Sequence, residues 1–136
     1  MPSASWALQQ SVYATLTADP QITTLLGGAR IYDDVPQKSE FPYLTLGQSS
    51  VRDWSTGTEA GDEHLLTLHV WSRAGGRKQT HEIMGALKAA LHNRALTLQG
   101  HQLIDIRHEF SDARRDPEGD IYHGIVRLRA VTEPLV

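Results

Sequence analysis

Seven histidines and a dense set of carboxylates are the residues of this chain with types suited to chemistry. A zinc centre needs three or four converging ligands. His81-Glu82 opens like the helical zinc motif His-Glu-x-x-His, but the second histidine is replaced by Gly85. His92 lies about three helical turns beyond His81, too far to share an ion. His108 and His123 become cross-strand neighbours if the last two strands pair, a two-ligand site at best. His69 stands beside Trp71. The plainer reading is histidines spread over a pleated sheet, and no metal or cofactor is expected. Nor is a nucleophile set up: Gly47-Gln48-Ser49 begins like a Gly-x-Ser-x-Gly elbow, but Val51 stands where the second glycine belongs. Gly75-Gly76-Arg77-Lys78 lacks the spacing and the hydroxyl of a phosphate loop and reads as a strand-to-helix turn. The carboxylates Asp105, Glu109, Asp112, Asp116, Glu118 and Asp120 are interleaved with Arg114 and Arg115, which suits a solvated mixed-charge segment better than a paired-acid site. The chain is therefore expected not to be an enzyme. The enzymatic alternative would need His108, His123 and nearby carboxylates to converge in one pocket.

The elements that must position these side chains follow from size and pattern. A chain of 136 residues is one domain, 1–136, with enough length to bury a core. It has no cysteine, which excludes disulfides and thiolate metal sites, and its formal net charge is −3 with both signs mixed. That balance argues against binding duplex DNA through a basic face, while leaving a surface past which DNA could slide. No apolar run approaches the roughly 20 residues of a membrane span. The first residues have neither a basic region nor an apolar stretch, so no signal peptide and synthesis in the cytoplasm are expected.

Leu8, Val12 and Leu16 recur at helical spacing, so Ser5 to Ala18 is expected to be a helix with Ser5 as its cap. Asp19-Pro20 starts a second short helix that Gly27-Gly28 ends. Arg30 to Pro36 is short and extended. Phe41 to Gly47 and Leu65 to Trp71 alternate and should pair as a hairpin, joined by a polar connection from Val51 to Glu63. The return strand is apolar on both faces, as a central strand would be. Lys78 to Asn93 carries the clearest helical stripe, in which Gly85 is expected to mark a close approach to the sheet. Ala95 to Leu98 is short and extended. Gln102 to Phe110 alternates, with Ile104, Ile106, His108 and Phe110 on one side. Ser111 to Asp120 is a second polar loop, and Ile121 to Glu133 is the last strand. The order predicts an α+β fold: a mostly antiparallel sheet of four to five strands with helices packed on one face.

The two polar loops are the best places for function. Long loops without structure of their own are often functional, although a disordered hairpin tip fits equally well. An exposed Trp54 beside arginine suits a protein contact, and a tryptophan folded back on its own sheet is the alternative.

In its ordered landmarks the chain resembles the tail-completion and tail-terminator proteins of long-tailed phages and gene transfer agents. These landmarks are Ala7-Leu8-Gln9, Ala18-Asp19-Pro20, Leu25-Leu26-Gly27, Arg30-Ile31-Tyr32-Asp33, Val35-Pro36, Phe41-Pro42-Tyr43-Leu44-Thr45-Leu46-Gly47, Leu68-His69-Val70-Trp71-Ser72, Ala89-Ala90-Leu91, Leu96-Thr97-Leu98-Gln99-Gly100 and His123-Gly124. The resemblance implies a structural virion protein with no catalytic motif. It would form a ring, usually a hexamer, at the head-proximal end of the tail tube, stop tube polymerisation and join tail to head connector. Its partners would be other copies of itself, the tail tube protein and the head-tail connector or stopper, with DNA passing through the lumen and no membrane involved. A joining protein that acts only at the connector is the alternative. The expected docking residues are Arg52, Trp54, Glu59 and Asp62 in the first loop and Arg114, Arg115 and Asp116 in the second.

Overall fold

A computed structural model describes residues 3–73, 77–117 and 120–135. The turn expected at Ala74-Gly75-Gly76, and Glu118 and Gly119 of the second loop, lie outside the described residues. The chain opens with α1 (Ala4–Ala18) and α2 (Pro20–Leu26). Ser3, not Ser5, caps α1: its hydroxyl accepts the Trp6 amide, and Ser5 already lies inside the first turn. Asp19 caps α2 as expected, its carboxylate accepting the amides of Gln21 and Ile22, and Gly27 ends the helix at φ 78°.

One sheet follows: β1 (Ile31–Tyr32), β2 (Tyr43–Asp53), β3 (Asp62–Ser72), β4 (Thr97–Leu98), β5 (His101–Arg115) and β6 (Tyr122–Pro134), with α3 (Lys78–Leu91) between β3 and β4. The spatial order is β1-β2-β3-β6-β5-β4. Among the described residues the sheet thus has six strands, more than expected, because both short extended pieces pair at its edges. β1 runs parallel to β2, and the other pairings are antiparallel. β3 is central, as its pattern implied, but helices cover only its Leu66, Leu68 and Val70 side, while Leu65 on the other side is exposed and Thr67, His69 and Trp71 are half-buried.

Residues paired across antiparallel strands point to the same face. Leu44, Leu66, Leu68, Val70, Ile106, Val126, Leu128 and Ala130 share one face and join Leu8, Leu16, Ile22, Ile83, Leu87 and Leu91 in a single core. Among the described residues all three helices therefore serve one face, and no helix packs on the other, the bare face. The close approach of α3 to the sheet is at Gly124, not Gly85. A Cβ on Gly124 would stand 2.8 Å from Met84 Sδ, whereas Gly85 has nothing within 4 Å and faces outward.

Both expected loops are shorter than read. β2 continues to Asp53, so the first tip is only Trp54 to Gly61, and β5 continues to Arg115. Polar residues on strands that are solvated on one face carry no loop signal of their own. The alternation expected along β5 also breaks. Register shifts between Leu103 and Asp105 and between His108 and Phe110 insert Ile104 and Glu109 as extra residues. Ile106 is buried in the core, while Ile104 and Phe110 are turned outward.

Candidate functional site: the bare sheet face and its two hairpin tips

β2 and β3 join at one end of the sheet. β3 runs antiparallel to β6, and β6 to β5, so β5 and β6 join at the opposite end. The expected contact residues are accordingly split. Arg52, Trp54, Glu59 and Asp62 gather at one end, and Arg114, Arg115 and Asp116 at the other. Arg52, Asp62, Arg114 and Arg115 sit on strands, leaving Trp54, Glu59 and Asp116 outside them.

The first tip is ordered by its own polar groups. The Asp53 carboxylate accepts the amide and hydroxyl of Ser55, which holds it below the usual carboxylate range. Trp54 N–H donates to the Gly61 carbonyl at 2.9 Å, and Thr56 N–H to that of Glu59 at 2.8 Å. Beneath it lies an ion cluster that sequence reading did not single out. Glu63, nearly buried, accepts from Arg129 Nε at 2.6 Å and from Arg52 Nε at 2.5 Å. The bond from Arg129 is the main reason its carboxyl titrates below its usual range, followed by that from Arg52 and opposed by burial. Both guanidiniums lie over Trp54, at 5.7 Å (Arg52) and 5.2 Å (Arg129) from the ring. Trp54 combines both readings of the sequence: it folds over this cluster and still leaves 48% of its surface exposed. The available signal was the hairpin register, since a tip closing on Asp53 and Asp62 sets Arg52 opposite Glu63.

At the other end the bare face carries a column of rings. Trp71 and His123 stack 4.0 Å apart and nearly parallel at 5°. His69 Nδ1 lies 2.7 Å from His123 Nε2, one nitrogen donating and the other accepting. Tyr43 extends the column beside Trp71, whose indole N–H donates to Thr45 Oγ1. Burial lowers the affinity of both histidines for protons; for His123 the neighbouring His69 and Arg114 lower it further. Arg114 is held by Asp112.

His108 and His123 do not converge. His123 is opposite Arg114 on the bare face, while His108 is opposite Leu128 on the helix face, where its amide donates to His92 Nδ1. β5 and β6 do pair, yet the two histidines fall on opposite faces, so the convergence that the enzymatic alternative needs is absent from this pair. Among the described residues no group of three or more His, Asp or Glu is arranged to hold a metal ion. On the helix side a groove of about 560 Å³ runs between α1 and the β1 edge, lined by Trp6, Tyr13, Tyr32 and Leu46 among others.

A sheet covered on one face and bare on the other, with differently built tips at its two ends, defines an α+β class with broad surfaces open to contact. Comparison with known proteins gives that class its particular member. The model of the tail completion protein gp17 family matches residues 10–133, and the chain belongs to that family. The tail completion protein gp17 of Bacillus phage SPP1 is 23% identical over 128 residues, 93% of this chain and 92% of that protein. A chain in the solved virion of a native gene transfer agent particle superposes with a TM-score of 0.89 at 30% identity, covering 98% of this chain and 99% of that one. The resemblance read from the ordered landmarks is thereby borne out, and the chain is a structural protein of the virion tail.

Proposed function

We propose that this protein completes the tail by assembly and without turnover, as a closed ring, hexameric in keeping with the family resemblance, at the head-proximal end of the tail tube. There it ends tube growth and joins the tail to the head connector. The observation that carries the reading is the placement of the two hairpin tips at opposite ends of one sheet. A junction protein must present two different surfaces in opposite directions, and the positions of Arg52, Trp54 and Glu59 at one end and of Arg114, Arg115 and Asp116 at the other support docking through both. Asp62 closes the first hairpin beside them. The bare face, with its mixed charges and rings, is the surface left for the lumen, where DNA would pass without specific binding.

Light scattering after size-exclusion chromatography, alone and with tail tube protein, followed by electron microscopy, tests the proposal. A six-membered ring, or a monomer that caps tubes and fixes their length, supports it. A protein that ignores tubes but binds the connector would favour the purely joining role.

A further inference from the structure

Two strand stretches keep an unpaired outer edge. β1 pairs only with Leu44 and Thr45 of β2, and β4 only with His101 and Gln102 of β5. Past the register shifts, Ser49–Asp53 of β2 and Phe110–Arg115 of β5 run regularly against their inner neighbours. Among the described residues no strand pairs with their outer sides. Such edges invite another strand unless something guards them. Here neither stretch contains proline or lysine.

The two edges complement each other in three ways. β2 and β5 run in opposite directions, because two antiparallel steps through β3 and β6 are followed by a third. Copies set side by side in the same orientation therefore bring β2 of one against β5 of the next as an antiparallel pair. The open stretches also lie toward opposite ends of the sheet, so pairing them offsets each copy along the strands, the inclination that closing a sheet on itself demands. Finally, one register satisfies the side chains. With Arg52 opposite Asp112, Val51 falls opposite Ala113 on the helix side, and Phe110 falls beside Trp54 on the bare side. That register pairs unlike charges and covers Phe110 and Trp54, which are 47% and 48% exposed. Moving it by two residues one way sets Arg52 against Arg114, and the other way sets Asp53 against Glu109.

We propose that the subunit contact is β-strand addition between copies of this chain, Ser49–Asp53 of one against Phe110–Arg115 of the next, with Arg52 opposite Asp112. This rests on the ring reading. The contact is heterologous and closes by rotation.

The chain has no native cysteine, so a V51C/A113C double variant carries the only thiols. Directly opposed strand residues lie within disulfide reach. Particles assembled with this variant and oxidised should give a ladder of covalent oligomers on denaturing gels. The single variants should give at most dimers, and V51C/S111C should give little. Hydrogen exchange of the unmodified protein, free and assembled, should show slowing at 49–53 and 110–115, a readout independent of any variant. An assembled ring with neither ladder nor protection overturns the strand contact and leaves the ring standing. A protein that forms no oligomer on tubes or in particles overturns the ring reading and the contact with it.

Discussion

His69 and His123 share a hydrogen bond of 2.7 Å on the bare face of the sheet, under the stacked ring of Trp71. The bond needs a neutral acceptor nitrogen, so a second proton on the pair breaks it. Burial lowers both histidines below their ordinary 6.5, and burial lowers His64 and His108 likewise. A base with a lowered folded value contributes stability that is complete above the unfolded value and is lost as pH falls from there toward the folded one. The melting temperature should therefore fall between about pH 7.5 and pH 5, and H69Q/H123Q should flatten part of that slope. A melting temperature constant or rising through that window on acidification would refute the assignment.

Gly47 sits against the same ring. A Cβ there would stand 2.5 Å from His69 Cδ2 and Nε2 and 3.0 Å from the Thr67 carbonyl oxygen. The imidazole can swing aside, and the backbone oxygen cannot. Gly47→Ala should displace His69 from His123 and destabilise by about 1–3 kcal/mol, as overpacked sites do. Adding H69A should recover part of the loss, because the ring is the closer obstacle. The imidazole chemical shifts of His123 report the displacement directly.

Two further glycines should respond with opposite signs. Gly124 lies under α3, where a Cβ would meet Met84 Sδ at 2.8 Å and Thr80 Cγ2 at 2.9 Å. Gly124→Ala should cost about 1–3 kcal/mol by pushing the helix off the sheet. Gly85 is exposed within α3, and beyond the helix's own backbone a Cβ there would meet nothing within 4 Å. Gly85→Ala should stabilise by up to about 1 kcal/mol through helix propensity alone. Urea titrations of the two variants decide between these signs and the reverse.

Those glycines show what the sequence could and could not convey. A helical stripe locates the apolar face of α3, but a glycine on a helix and a glycine on a strand both announce only a missing side chain. Which one marks the contact depends on a tertiary neighbour. The caps of α2 were legible because Asp19-Pro20 and Gly27 act on their own backbone. Ser3 is not legible as the cap of α1 because Ser5 offers the same side chain two residues on. The β5 alternation misled because Ile104 and Glu109 are extra residues, and an inserted residue shifts every later side chain by one face. The family was legible because an ordered set of landmarks survives such local slips. The Glu63 cluster was not, since Arg52, Glu63 and Arg129 come from three strands and meet only once the register is known.

If the first tip docks as proposed, that cluster separates stability from assembly. Glu63 anchors Arg52 and Arg129 from within, while Trp54 covers them from outside. Glu63→Gln removes the anion and leaves two guanidiniums side by side, so the folded chain should melt at a lower temperature at pH 7. Glu63 has its folded value lowered from an ordinary 4.5, so its contribution is present above that value and is lost as pH falls through the folded one. The gap between wild type and E63Q should close on acidification below about pH 4. Trp54→Ala leaves the ion pairs in place and removes only their exposed cover. Its melting temperature should stay close to wild type, while incorporation into particles should drop several-fold, as for an aromatic anchor at a contact. Normal incorporation of W54A would take the first tip out of the assembly surface, and a pH-independent gap for E63Q would take the charge out of the cluster.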